Sequence, residues 1–423
     1  MASVPPAGGI LDPAVEARWW RRRWHRAWVL AGAAVLAVPA AVLTVRAESA
    51  SHAPSATATS RPDATPAVQG NPPLAIGAAV RASQLYSDPV FVNASDGYAL
   101  ARGTGGAASE RLATSTNGGS SWHVAGTPFP VAGTFTTLLF TDAMHGYVFG
   151  PAGLIVTPNG GATWSQAPIT GEVVRVLPAY GTVWAVGLTC RGAPGLASNC
   201  PITAAISDNS GRTWTYSKTA PPVREGPNGG AGLGLVTASN AYVVTWGSSA
   251  SGLAVTVDSG RSWTLLNDPC ATGWSTVDLV PLADGDMWLI CGGDATAAGE
   301  VKSVYRSEDG GHHWVLASST GLAPGSSMPV GSIPYSGLVS QLATVDPLIA
   351  WLGLGGVGVV QTLDGGRHWS EVEGIGGADG ASDVGVTFIR SPNGAIDDGW
   401  ALGFGVALWR TTDAVHWRLA AWG

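Results

Sequence analysis

Seven residues in the longer connections of this chain are candidates for ligand chemistry: Arg224, Glu225, Trp246, Trp274, Asp294, Lys302 and Tyr335. Glu225 and Asp294 could be placed as the two carboxylates that glycoside hydrolysis uses across a cleft. Trp246, Trp274 and Tyr335 are of the type that anchors partners when exposed. For each of the seven, a solvated loop residue or a local packing role is the competing reading. The cysteine spacing contains no CxxC pair of the metal-binding kind, so no metal and no cofactor is expected.

The elements that would position these residues come from a repeat. The motif Ser/Thr-x-Asp/Asn-x-Gly-x-x-Trp ends at Trp122, Trp164, Trp214, Trp263, Trp314 and Trp369. A seventh copy, Thr411 to Trp417, is one residue short and lacks the Gly. Successive Trp residues are 42, 50, 49, 51, 55 and 48 positions apart. A period of this size with turn and aromatic signals indicates a propeller or another repeat array.

The motif fits a tight strand-to-strand turn. Its Asp or Asn (Asn117, Asn159, Asn209, Asp258, Asp309, Asp364 and Asp413) can accept hydrogen bonds from backbone N–H groups just ahead of it. Gly supplies a positive φ, and Trp opens the next strand. Seven copies of one catalytic site are implausible, so the motif reads as structural.

A second landmark lies upstream of each turn, where an aromatic opens a strand: Tyr98, Tyr147, Trp184, Tyr242, Trp288, Trp351 and Trp400. Each unit then reads as four strands. In the fifth they are 277–282, 287–291, 303–307 and 314–318. The expected fold is all-β, a seven-bladed β-propeller of four-stranded antiparallel blades over 76–423.

On these residues the chain resembles the Asp-box, or bacterial neuraminidase repeat, propellers. That family includes sialidases, endoglucanase-type glycosidases, sortilin-like receptors and photosystem II assembly factors. The resemblance covers about residues 85–423 and bears on fold more than on activity. Sialidases would imply an Arg triad, a Tyr–Glu nucleophile pair, an Asp acid and a Phe/Tyr-Arg-Ile-Pro sequence. Here Ser332-Ile333-Pro334-Tyr335 lacks the Arg, and Arg212, Arg261 and Arg367 fall in the turn motifs. The assembly factors imply instead a non-catalytic scaffold for a protein, peptide or glycan. That is the leading expectation, with a sialidase-like or two-carboxylate glycoside hydrolase as the alternative and a purely structural envelope protein as a third reading.

Ahead of the repeats, residues 1–26 end in the basic, aromatic run Arg18 to Arg26. Residues 27–45 carry no charge and as a helix would span about 28 Å, close to a bilayer core. The Arg cluster predicts that the N-terminus stays in the cytoplasm and the repeats are exported. The segment reads as a signal anchor, with cleavage of a signal peptide near Val45-Arg46-Ala47 as the alternative. Residues 46–75, rich in Ala, Pro, Ser and Thr, read as a disordered linker. Residues 74–83 could add a strand that helps close the ring.

Beyond residue 50 there are 16 Lys plus Arg and 26 Asp plus Glu, a balance of −10. That argues against nucleic-acid binding by the repeats. A monomer is expected, attached to the membrane through its N-terminal helix.

In an up-and-down blade the 1–2 and 3–4 turns share one end, and the 2–3 loops and inter-blade connections share the other. The recurring turns are 3–4 turns. The long connections 188–201, 219–232, 267–276, 292–302 and 319–337 therefore share the opposite face, where ligands would be expected on the third to sixth units. Strand placement also pairs Cys190 with Cys200 and Cys270 with Cys291 as disulfides, four free thiols being the alternative.

Overall fold

The computed structural model describes residues between 74 and 420, apart from 82–83, 88, 104–109, 132–133, 190–199, 227–228, 248–250, 271–274, 283–284, 297–298, 321–329, 345, 377–383, 391–395, 404–406 and 414–415. The expected membrane segment 27–45 and residues 46–73 of the expected linker 46–75 lie outside the described residues; Leu74, at the linker's end, is buried. Among those described, no helix is long and apolar enough to cross a membrane.

The described residues are all-β and form seven antiparallel sheets. The first holds β1 (Ala79–Val80), β2 (Val90–Phe91), β3 (Gly97–Arg102), β4 (Glu110–Ser115) and β5 (Trp122–Ala125). The second holds β6 (Thr137–Phe140), β7 (Gly146–Gly150), β8 (Gly153–Thr157) and β9 (Ser165–Gln166). The third holds β10 (Glu172–Ala179), β11 (Thr182–Leu188), β12 (Cys200–Ser207), β13 (Thr215–Tyr216) and β14 (Arg224–Glu225). The fourth holds β15 (Gly230–Leu235), β16 (Ala241–Trp246), β17 (Gly252–Thr256) and β18 (Thr264–Leu266). The fifth holds β19 (Ser275–Pro281), β20 (Met287–Thr296), β21 (Gly299–Ser307) and β22 (Val315–Ser319). The sixth holds β23 (Leu338–Thr344), β24 (Ala350–Gly355), β25 (Gly358–Thr362) and β26 (Ser370–Gly376). The seventh holds β27 (Val384–Arg390), β28 (Ile396–Gly403), β29 (Ala407–Thr411) and β30 (Arg418–Ala420).

Four strands of each sheet pair in chain order, with β1 added on β5 in the first and β14 on β12 in the third. The first strands of successive sheets, β10, β15, β19, β23 and β27, pack on one another, so they line the middle and the fourth strands lie outermost. This is the arrangement of a β-propeller.

The recurring turn forms as its residues require. The Ser or Thr hydroxyl accepts the backbone N–H four residues on at 2.8–3.0 Å in the first six copies. The Asp or Asn Oδ1 accepts the N–H of the residue before the Trp, at 2.7–2.9 Å in all seven. In the seventh turn the donor lies three residues after the acceptor and not four. Gly311 has φ 84°, and a Cβ there would stand 3.2 Å from Leu266 and 3.3 Å from Met287.

These turns also hold the blades together. The landmark aromatic of one sheet packs on the turn of the next. Tyr242 donates its hydroxyl to the Gly310 carbonyl at 3.2 Å. Trp184 stands edge-on to Trp263 at 6.4 Å, and Trp288 to Trp369 at 6.5 Å. Burying such indoles supplies much of the core between neighbouring sheets, at roughly 25 cal/mol per Å² of apolar surface.

Residues 74–83 do not lie where ring closure would need them. β1 pairs with β5, the outer edge of the first sheet, with Val80 opposite Trp122. An edge strand presents unpaired N–H and C=O groups, and β1 takes up those of β5. The seventh sheet has four strands of its own from the chain's C-terminal end.

Candidate functional site

The end of the sheets that carries the recurring turns is fixed by backbone bonds. Gly118 N–H donates to Ser95 O at 2.9 Å, Gly160 to Met144 at 2.8 Å, Gly310 to Gly285 at 2.9 Å and Gly365 to Leu348 at 2.9 Å. Each joins a 3–4 turn to the 1–2 turn of its own sheet. The 2–3 hairpins and the inter-sheet connections therefore emerge at the other end.

At that other end the sheets differ. The second sheet's 2–3 hairpin closes where Gly150 pairs with Gly153, and the sixth where Leu354 pairs with Gly358. In the fifth sheet β20 and β21 run on to Thr296 opposite Gly299, past an irregularity between Gly292 and Ala295. Most of 292–302 is thus strand, where sequence spacing suggested a loop. The extension is supported from its side, because the returning connection lies along β21. Glu300 N–H donates to Tyr335 O at 3.1 Å, and Gly299 pairs with Gly337. Gly299 permits this approach, since a Cβ there would fall 2.1 Å from the Tyr335 carbonyl oxygen.

Lys302 corrects the sequence reading most. Expected as a ligand contact, it is fully buried. Its Nζ lies 2.8 Å from the carbonyl oxygens of Pro334 and Tyr335, 3.0 Å from that of Gly337 and 3.2 Å from that of Ser336. A buried ammonium must find acceptors, and these four lie on the segment covering β21. Burial pulls its pKa from 10.5 down to about 8, while the nearby Glu300 carboxylate favours the charged form. Glu300 itself is buried and accepts Val339 N–H at 3.1 Å.

Tyr335 keeps its exposed position, with 42% of its surface accessible. Its hydroxyl is 3.2 Å from Thr296 Oγ1 at the hairpin end, and its ring centroid is 6.0 Å from Lys302 Nζ. Asp294 falls in β20 of the same hairpin; its side chain lies outside the described part. The structure thus gathers Lys302, Tyr335 and the strand of Asp294 at one end of the fifth sheet.

The base of this cluster is cross-linked. Cys270 and Cys291 form a disulfide of 2.09 Å, as strand placement predicted. It ties the connection entering β19 to β20. Beside it Asp268 accepts Cys270 N–H at 2.8 Å and Thr276 Oγ1 at 3.1 Å, and burial raises its pKa. Cys200 is also disulfide-bonded; its expected partner Cys190 lies outside the described residues, as does Trp274.

The other candidates form a second group between the third and fourth sheets. β14 pairs with the start of β12, placing Arg224 opposite Pro201 and Glu225 opposite Cys200. Arg224 is exposed, whereas Glu225 is only 6% accessible. Trp246 is half-buried over Gly230, where a Cβ would meet its indole at 2.2 Å, and its carbonyl accepts Gly226 N–H at 3.3 Å. It reads as local packing.

Sequence reasoning missed a third feature at the same end. Arg102 and Glu110 face each other across the first sheet's 2–3 hairpin and pair at 2.6 Å, with the guanidinium 4.2 Å from the centre of the Tyr86 ring. Opposite charges flanking a 2–3 connection were the available signal. Among the described residues no three His, Cys, Asp or Glu side chains come together as a metal site.

No protein-family model matches the chain, and no curated protein matches it. Solved structures similar to it include YCF48 from Cyanidioschyzon merolae, 14% identical, covering 80% of this chain and 99% of that one with a TM-score of 0.52. A structure of YCF48 bound to D1 peptide is 18% identical over 79% of this chain and 96% of that one, with a TM-score of 0.48. A polysaccharide lyase of the PL25 ulvan lyase family, bound to its saccharide, is 13% identical over 82% and 96%, with a TM-score of 0.47. At 14% identity the first of these likenesses speaks for the β-propeller fold and not for a ligand or an activity.

Proposed function

We propose that this chain is a membrane-tethered, extracytoplasmic, seven-bladed β-propeller that binds a protein, peptide or glycan without catalysing its turnover. Its binding surface is the end opposite the recurring turns, centred on the fifth sheet. The N-terminal segment 27–45 is the tether, with the cytoplasm on the side of Arg18 to Arg26. The seven sheets are the blades of a rigid frame.

One observation carries the reading: the fifth sheet's loop end is built up and locked, and it presents an exposed aromatic. Its 2–3 hairpin reaches Thr296 and Gly299 while the second sheet's stops at a tight Gly150–Gly153 turn. A disulfide and a buried ammonium hold that end, and Tyr335 stands at its surface. Ordering a surface before binding lowers the entropy that binding must overcome, and rigid exposed Tyr is a frequent anchor.

The reading is tested by placing a photo-crosslinking phenylalanine analogue at position 335 or, as the control, at Val257 in the fourth sheet's recurring turn. Both proteins are irradiated on native membranes, and a glycan array is probed in parallel. A discrete adduct or glycan signal that depends on the 335 surface supports the proposal. Adducts from Val257 alone would move the binding surface to the opposite end.

A further inference from the structure

We infer that the backbone carbonyls of Pro334, Tyr335, Ser336 and Gly337 form a cation site whose resident ion is the ammonium of Lys302, and that Lys302 is thereby the positioning residue of the loop-face surface. The inference deepens the binding reading above, but its test observes the loop and not the ligand, so the two can fail separately.

The geometry is that of a cradle. Four consecutive carbonyl oxygens lie 2.8, 2.8, 3.2 and 3.0 Å from one nitrogen. Successive carbonyls of an extended chain point to opposite sides. Four in a row reach a single centre only where the backbone curls around it, and Gly337 at φ 73° takes part in that curl. Oxygens gathered so closely repel one another unless a cation or N–H donors sit among them. An ammonium has three N–H donors and no acceptor, so three of the contacts can be full hydrogen bonds while the longest, to Ser336, is chiefly electrostatic.

Lys302 also grips the other end of the same connection. Its backbone N–H donates to Thr320 Oγ1 at 3.0 Å, and its carbonyl accepts Thr320 N–H at 3.0 Å. One residue of β21 therefore holds the connection where it leaves, at Thr320, and where it returns, at 334–337. Glu300, two residues earlier on β21, holds the returning strand as well, through Tyr335 O and Val339 N. Tyr335 projects from the middle of the cradle, and its own carbonyl is one of the four oxygens. Its ring position follows from the occupant of the cradle.

The ligand class for such a site is a primary ammonium or a weakly hydrated monovalent cation such as K⁺, for which rings of backbone carbonyls replace the hydration shell. Lys302→Ala removes Cγ, Cδ, Cε and Nζ, whose atoms together are those of n-propylammonium. Lys302→Met keeps an apolar stem and removes the charge.

The test uses the repeat-bearing chain with fluorotyrosine at 335 and amide hydrogen exchange over 335–339. In the wild type we expect one sharp fluorine resonance and slow exchange. In Lys302→Ala and Lys302→Met we expect a shifted or split resonance and exchange faster by about tenfold or more in this segment, with the other sheets unchanged. Added n-propylammonium or K⁺ should restore the Ala variant, and n-propanol should not. Unchanged fluorine and exchange data in Lys302→Met would overturn the inference, as would rescue by propanol equal to that by propylammonium. A measurement on the unaltered protein covers failure of the variants to fold. Because Lys218 and Lys302 are the chain's two lysines, ¹⁵N-lysine spectra should show one slowly exchanging side-chain NH₃⁺ at neutral pH. Two freely exchanging amines would contradict the cradle.

Discussion

Lys302 Nζ lies 2.8 Å from the carbonyl oxygen of Tyr335, so the most buried cation of the described chain holds one of its exposed aromatics. The pair joins the interior of the fifth sheet to its surface. Neither residue type indicates this by itself, and together they explain why a loop-end aromatic keeps a fixed place.

The first prediction concerns Tyr335→Ala. Its ring is exposed, so thermal stability should change by less than about 1 kcal/mol. Cross-linked partner or glycan capture at the loop face should fall at least several-fold. Calorimetry and capture on the same preparation separate the two effects.

The second is a pH dependence with an unusual sign. Burial lowers the folded pKa of Lys302 to about 8 against 10.5 for a solvated lysine. Between those values the unfolded chain binds more protons than the folded one, so stability rises with pH. The expected gain is roughly 2 kcal/mol from pH 8 to 10, and none is expected below about 7. Buried tyrosines act oppositely above pH 10: Tyr147, its pKa raised chiefly by burial, stays protonated in the fold when its unfolded counterpart ionises. Stability should therefore peak near pH 10. Chemical denaturation of the wild type and Lys302→Met tests this, and a Met variant that keeps the rise assigns it elsewhere.

A third prediction concerns acid. Hydrogen bonds from Ser262 hold Asp258 at about 2, and the bonds to His368 outweigh burial to hold Asp364 at about 2. The His313 backbone and imidazole depress Asp309 further. Folded carboxylate pKa values below the unfolded ones mean stability that is present above about pH 4 and lost as pH falls toward 2. Asp309→Ala should lower the Tm. Asp309→Asn should retain the turn, since Asn accepts the same bond at 117, 159 and 209, and should flatten the acid limb. Gly311→Val should cost roughly 1–3 kcal/mol through the positive φ and the contacts with Leu266 and Met287. None of these should abolish capture at permissive temperature.

The fourth is the disulfide. Cys270→Ala with Cys291→Ala opens a loop spanning 21 positions. It should cost about 3 kcal/mol by loop entropy and speed hydrogen exchange at the start of β19 before any other first strand. Uniform exchange across all seven sheets would show that the bridge stabilises the whole ring and not one end.

The frame was legible in the sequence because a turn's chemistry is local. Ser307, Asp309, Gly311 and Trp314 declare their conformation within eight residues, and the period does the rest. The pairing of Cys270 with Cys291 was legible for the same reason, since it needed only the strand order. The site was less so. Lys302 looked like a surface residue because long-range carbonyls from 334–337 leave no mark at position 302. The strand character of 292–302 was hidden by three Gly and an Asp, which read as a loop because the returning segment that lies along β21 is distant in the sequence. β1 was misplaced because a two-residue strand does not specify which edge it completes. Arg102 with Glu110 could have been found from their cross-hairpin charges.

The most direct measurement of the central claim is hairpin replacement. Residues 296–299 are exchanged for a two-residue turn like that joining Gly150 to Gly153, which keeps the Ala295–Glu300 pair, and a parallel variant carries Val257→Ser and Leu363→Ser on the recurring-turn face. Cross-linked capture from native membranes and glycan-array binding are read for both, with melting temperature as the control. The account predicts that the shortened hairpin melts within a few degrees of the wild type and loses capture, while the double Ser variant captures normally. Capture that survives the replacement and fails in the double Ser variant would contradict it.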